Sequence, residues 1–455
     1  MVLKSNESKK IFSLILAFFL FAITMFPGFT ALEGDQGYRD NPNVLRSDNW
    51  GFITTFLYGE WPQFFGNWRY SLIITQLVTL LIGLSLLVPI HKLDTRLSIW
   101  LGALLYFASA NFSVQLWRDA TSFSLSVLAL GLIRSGLSKK TKTSSVFLFL
   151  GLCIMGIASM FKPAVTLLLL PILAWLIWQE NLRLPRSWFF KFFTMAIAGA
   201  LLIFAYVLDS SLARKASLER VFPEQQPILL DLAMNYCWGR SESIRVDSGN
   251  AISRTLKVDY PLESVCAATN PFRWDDLHND PKDWQFSSPI VRITNSKSSR
   301  DELLRSWTKI VTSHPVDWAQ VRLLLIGPVL FMGNSFVLNP PDVDNPSLMH
   351  SLREGSWTFN SLFISIIDKI RLTSLFLCIF LCFSILLFSL KKQRPVFVSN
   401  LGDIYFALLV NILTLAVSVV SFVAPNGRYI LGYVLLVYMM LLKSNLVYKS
   451  VLNNS

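Results

Sequence analysis

Apolar runs of about 15 to 20 residues recur along this chain, and they constrain its fold more than any other feature. They fall at 11–26, 71–90, 97–112, 120–137, 145–161, 164–178, 192–208, 372–390, 404–423 and 429–446. Each is long enough, or nearly so, to cross a hydrocarbon core of about 30 Å at about 1.5 Å per residue. Backbone polar groups in lipid must be satisfied within their own segment, so the runs predict helices. The expected fold is an all-α polytopic membrane protein with about ten transmembrane helices, interfacial helices and one extracytoplasmic lobe. Composition agrees: 53% of the 455 residues are apolar and 15% charged, with 35 Phe and 14 Trp, which is unlike a soluble domain. The net charge of +12 is spread in short clusters between the runs, as membrane topology requires, and does not point to nucleic acid.

Lys4, Lys9 and Lys10 precede the first run and place the N-terminus in the cytoplasm. That run reads as a retained signal anchor, since Pro27-Gly28-Phe29-Thr30 is a poor cleavage site and more spans follow. Run 71–90 returns inward to His91, Lys92 and Arg96. Runs 97–112 and 120–137 form a hairpin with its outer tip at 113–119. The inner turn 134–142 then carries four basic residues, Arg134, Lys139, Lys140 and Lys142, and no acid. Runs 145–161 and 164–178 form a second hairpin with Lys162-Pro163 at its outer tip, where proline's missing donor is tolerated. Segment 179–191, with Arg183, Arg186 and Lys191, lies inside, and run 192–208 exits again.

Three parts follow: an N-terminal transmembrane module over 1–208, an extracytoplasmic lobe over 209–371, and C-terminal transmembrane helices over 372–455. Within the lobe, Ser299-Arg300-Asp301-Glu302 reads as a capping box opening a surface helix. Leu303, Leu304, Trp307, Ile310 and Val311 keep helical spacing up to His314-Pro315. Segment 321–332 holds Arg322 and Pro328 and is too short to span, so it is expected as a half-embedded helix. That placement keeps 339–371 outside and Lys391, Lys392 and Arg394 in the cytoplasm.

The first outer loop, 27–70, carries Glu33, Asp35, Asp40, Asp48 and Glu60 against Arg39, Arg46 and Arg69. Phe52, Phe56, Leu57 and Trp61 predict a short amphipathic helix in the interface. At outer ends of separate spans sit Arg118, Lys162 and Arg428, where the positive-inside rule disfavours cations. One such residue alone snorkels to headgroups. Three packed side by side form a basic pocket suited to the phosphate or pyrophosphate of a lipid. Glycosyl transfer from such a lipid needs a carboxylate to take the acceptor's proton and cations to stabilise the departing phosphate. Asp35 is the first candidate base, with Asp48 and Asp40 as alternatives; Asp40-Asn41-Pro42-Asn43 equally reads as a solvated turn. Asp119 is expected to orient Arg118 rather than react. His314 either caps the surface helix or touches the acceptor or phosphate. Cys237 and Cys266 stand outside the runs, where an oxidising exterior permits a disulfide that spacing alone does not decide.

Other chemistry is poorly represented. His91, His278, His314 and His350 show no ligand spacing. Neither a phosphate-binding P-loop nor a dinucleotide fingerprint occurs, so a soluble nucleotide-sugar donor has no visible binding fold. No cofactor is called for, and a divalent cation on outer-loop carboxylates stays open.

The ordering of Phe26-Pro27-Gly28 before Asp35, Arg118-Asp119, Lys162, His314-Pro315-Val316-Asp317-Trp318 and Asn426-Gly427-Arg428-Tyr429 resembles the GT-C superfamily of membrane glycosyltransferases. It is similar in particular to bacterial members related to protein mannosyltransferases and to lipid A and O-antigen sugar-modifying enzymes. The resemblance implies an inverting hexosyltransferase in the cytoplasmic (inner or plasma) membrane, passing it many times, with its active site on the extracytoplasmic face. The donor would be a polyprenyl-phosphate sugar and the acceptor an envelope glycan, lipid or protein. It further implies an essential acid at Asp35 and contact of Arg428 and Tyr429 with the carrier phosphate. Glu33-Gly34-Asp35 stands where a common variant has adjacent Asp-Glu, and Ser47-Asp48-Asn49-Trp50 where another has His-Pro. Two other classes are weighed. An O-antigen or polysaccharide polymerase or ligase would show Arg-rich chemistry in large late loops. A transporter or flippase for lipid-linked glycans would place ionisable residues near span midplanes, whereas here they lie at span ends.

Overall fold

The computed structural model describes residues 52–56, 68–87, 118–138, 142–162, 170, 172–174, 176–177, 188–216, 225–256, 262, 265–266 and 296–327. These residues are helical almost throughout, with no β-strand among them. The helices are α1 (Trp68–Leu87), α2 (Arg118–Ser138), α3 (Lys142–Phe161), α4 (Trp188–Lys215), α5 (Gln225–Trp238), α6 (Glu242–Leu256), α7 (Lys297–Ser313) and α8 (Pro315–Gly327). Runs 11–26, 97–112, 372–390, 404–423 and 429–446 lie outside the described residues, and run 164–178 is described only at its few helical positions. The helix that carries run 192–208 continues through Lys215, so Asp209 is a helical residue of α4 and not the first residue of a loop.

Among the described residues, three stretches are long and apolar enough to cross a membrane: Ala120–Leu137, Thr143–Phe161 and Phe189–Lys215. In α1 the apolar stretch Ile74–Leu87 is shorter. Exposure differs sharply between these stretches. Ala120–Leu137 is 72% buried, and it shelters Thr121, Ser122, Ser124 and Ser126. Phe189–Lys215 is 28% buried and presents Phe189, Phe192, Phe193, Ile203 and Phe204 at its surface. Polar side chains inside and phenyl groups outside are compatible with helices that face lipid and with a membrane protein.

Helix directions follow from which residues meet. Gln76 meets Thr121, Gly83 meets Leu128 and Leu87 meets Arg134, so α1 and α2 advance together and are parallel. Leu87 and Arg118 therefore lie at opposite ends of the pair, as a returning span between them requires. Ser122 meets Ala158, Ala129 meets Gly151 and Gly136 meets Ser144, so α2 and α3 run antiparallel. Without a hydrophobic drive between helices in lipid, close approach relies on small residues. A Cβ on Gly83 would fall 2.5 Å from the Leu128 nitrogen, one on Gly131 2.7 Å from the Gly83 carbonyl oxygen, and one on Gly136 2.7 Å from the Leu148 nitrogen. Three helices thus pack backbone against backbone.

The α5–α8 group builds its own core from Leu229, Leu232, Ala233, Ile244, Ile252, Val265, Leu303, Ile310 and Val321. The expected surface helix is present as α7, with Leu303 and Ile310 inward. Its start differs from the expected capping box: Ser296 is the N-cap and its side chain accepts the Ser299 N–H at 3.4 Å, so Ser299 sits inside the first turn. Apolar periodicity begins only at Leu303, which hides the preceding polar turn from a sequence reading. Segment 321–332 also differs in its start, since α8 begins at Pro315. Its residues beyond 327 lie outside the described region. Proline suits a first helical position because its missing N–H would be unpaired there anyway. His314 joins the two helices: its N–H donates to Ile310 O at 2.9 Å and its carbonyl accepts from Trp318 N at 3.0 Å.

Candidate functional site

The α2–α3 register puts two of the expected site positions at the same end of the hairpin. Ser122 Oγ donates to Ala158 O at 2.8 Å, and the same carbonyl accepts the Lys162 N–H at 3.4 Å in the last turn of α3. Continuing one turn outward, about 6 Å, leads from Ser122 to Arg118 on α2 and from Ala158 to Lys162 on the other helix. Arg118 and Lys162 therefore stand at the same end of the hairpin, although 44 positions separate them in sequence. Asp119 follows Arg118 in the first turn of α2. The parallel pairing brings the N-terminus of α1 to this end as well, with Gln76 Nε2 donating to Thr121 Oγ1 at 2.5 Å. Directly behind lies a layer of buried hydroxyls: Thr121, Ser122, Ser124 and Ser159.

This end of the bundle has buried hydroxyls one turn in from positions 118 and 162. Asp35, Asp40, Asp48, Arg428 and Tyr429, the remaining expected participants, lie outside the described residues. A short helix is present at 52–56, as the aromatic spacing predicts, with Phe52 and Phe56 stacked at 6.0 Å between ring centroids. Phe56 is exposed while Thr54 is fully buried.

The His-Pro-Val-Asp-Trp motif is engaged inside the lobe. His314 Nε2 pairs with Asp247 Oδ2 at 3.1 Å. Ser241 Oγ donates to Asp317 Oδ2 at 2.5 Å, and Trp318 Nε1 donates to Asp231 Oδ2 at 2.7 Å. Each polar side chain of the motif thus has a partner in α5 or α6 or on the turn between them. His314 is also the C-cap of α7. Cys237 and Cys266 form a disulfide that ties the end of α5 to the chain after α6. Among the described residues, no three His, Cys, Asp or Glu side chains are grouped to hold a metal ion.

Two relationships were not visible in the sequence. Asp209 accepts the Ile53 N–H at 2.9 Å across 156 positions, and Asp231 forms a buried pair with Arg322. The only available signals were an acid closing an apolar run and an arginine inside a short one. Comparison with known proteins adds no relative: no family model matches the chain, and neither the curated proteins nor the solved structures searched contain a significant match.

Proposed function

We propose that this chain is an integral membrane glycosyltransferase that moves a sugar from a polyprenyl-phosphate donor to an acceptor outside the cytoplasm. The observation that carries the proposal is the backbone register that places positions 118 and 162 at one end of the α2–α3 hairpin. Arginine and lysine at one end of a helix bundle suit the phosphate of a lipid-linked donor.

In the proposed reaction the acceptor hydroxyl attacks the anomeric carbon while the bond from that carbon to the phosphate oxygen breaks. A first-loop carboxylate, Asp35 with Asp48 and Asp40 as alternatives, takes the hydroxyl proton. Polyprenyl phosphate leaves with its electron pair, stabilised by Arg118, Lys162 and Arg428, with Tyr429 beside them. A single displacement from the opposite face inverts the anomeric configuration. Multi-pass insertion in the cytoplasmic membrane with this end outside belongs to the same proposal.

The test is sugar transfer from a labelled polyprenyl-phosphate donor by membranes carrying Arg118→Ala, Lys162→Ala or both, with protein level matched. Each single variant is expected to lose about 10²-fold in turnover, the scale of one missing charge-stabilising donor. A double variant with undiminished transfer would remove the basis of the proposal.

A further inference from the structure

Asp209 lies in the last turns of α4 and is buried. Its Oδ1 accepts the backbone N–H of Ile53 at 2.9 Å, and the N–H of Phe52 bonds the same carboxylate. Residues 52–56 form one short helix, and the first N–H groups of any helix have no partner within it. A carboxylate from a distant helix therefore does here what an N-cap side chain usually does locally. A short isolated helix does not hold its own conformation. Its seat comes from outside, and the contacts with Asp209 and the burial of Thr54 provide it.

The position of this short helix bears on the first outer loop. From Phe52 back to Asp48 is four residues, a reach of at most about 14 Å. Whatever fixes Phe52 limits where Asp48 can stand. We propose that Asp209 is a positioning residue, which caps the helical residues 52–56 from α4 and holds that arm of the first loop against the end of α4. Its effect on turnover rests on the glycosyltransferase reading above; its effect on the loop does not.

Two readouts test this in the full-length protein in membranes. In a background with Cys153, Cys378 and Cys382 replaced by serine, Asn49→Cys reports loop freedom through its rate of maleimide labelling. Asp209→Ala removes the acceptor, and Asp209→Asn keeps an oxygen that accepts the same N–H. Labelling is expected to rise about fivefold to tenfold in Asp209→Ala, the change in local opening expected from a lost cap, and to stay near the starting rate in Asp209→Asn. Sugar transfer is expected to fall about 10–100-fold in kcat for Asp209→Ala, with donor KM little changed, and to be restored by Asp209→Asn. If Asp209→Ala does not accumulate, Ile53→Pro removes the donor instead, at a first-turn position that tolerates proline, and the same rise in labelling is expected.

Unchanged labelling in both Asp209→Ala and Ile53→Pro overturns the proposal. So does an Asp209→Asn variant as impaired as Asp209→Ala, because charge and not acceptance would then be at stake. If the unmutated protein transfers no sugar while the labelling pattern holds, the enzyme reading fails and the positioning role stands.

Discussion

Arg322 and Asp231 form an ion pair inside the lobe, Nε to Oδ1 at 2.9 Å, with side chains 4% and 0% exposed. The other carboxylate oxygen accepts from two indoles, Trp307 Nε1 at 2.5 Å and Trp318 Nε1 at 2.7 Å. The guanidinium also lies over the Trp318 ring, 5.6 Å from its centroid. One acid on α5 thus anchors α7 and α8 together. It also accounts for the polarity of α8, which turns Arg322 inward and leaves Leu323 and Leu324 exposed.

Breaking this pair on one side strands a buried charge, at a cost of about 3–5 kcal/mol. Asp231→Asn and Arg322→Met should each lower the thermal midpoint of the detergent-solubilised protein and expose the α5–α8 group to protease. The double variant should cost less than the two singles added together. Strict additivity would mean that the two groups act independently.

The disulfide gives a test of compartment. Cys237 and Cys266 close a loop of 29 positions, for which chain entropy predicts a stabilisation of about 3–4 kcal/mol. In denatured, unreduced membranes both thiols should resist maleimide and should label fully after reduction. Labelling before reduction would place the lobe in a reducing compartment, contrary to the proposed topology.

Glycines in the bundle divide into two kinds. Gly83→Ala places a methyl 2.5 Å from the Leu128 nitrogen, and Gly131→Ala meets the facing backbone in the same way. Overpacking of this kind costs about 1–3 kcal/mol or more. Gly199 on α4 has nothing within 4 Å of a Cβ, so Gly199→Ala should be neutral or stabilising by up to about 1 kcal/mol. Thermal midpoints of the three variants separate the two kinds directly.

Arg134 differs from the lysines that follow it. Its Nη1 donates to Leu86 O at 3.1 Å and also to Leu87 O, which places a cation on the open carbonyls at the C-terminal end of α1. Arg134→Ala should destabilise the α1–α2 pair by about 1–2 kcal/mol. Lys139→Ala with Lys140→Ala should leave both midpoint and turnover intact if those lysines act only on topology. Loss of turnover with normal insertion would tell against an outer-face site.

What the sequence revealed and what it hid have physical causes. Apolar runs are long, continuous signals, so the expected helices at 71–90, 120–137 and 145–161 are present within about three residues of their bounds, and the one at 192–208 is present but longer. Helix ends were less legible. Ser296 caps α7 three residues before the expected box, and α4 runs past Asp209, because polar terminal turns carry no apolar period. Lys162 and Arg118 were identifiable one at a time by their place at the ends of apolar runs, whereas their sharing one end of the hairpin depends on a register set by Gly136 and Gly151, which no single residue announces. Asp231 and Arg322, 91 positions apart, met only once α5 and α8 had folded onto one core.

The most direct measurement is sugar transfer by membranes carrying Asp35→Asn or Arg428→Ala, with Asp40→Asn as control and protein level checked for each. The expected result is loss of transfer and accumulation of the donor lipid in the first two, with Asp40→Asn active. Full activity in Asp35→Asn would contradict the proposed acid at Asp35 and shift the test to Asp48. Full activity in Asp35→Asn, Asp48→Asn and Arg428→Ala together would contradict a transferase of this kind.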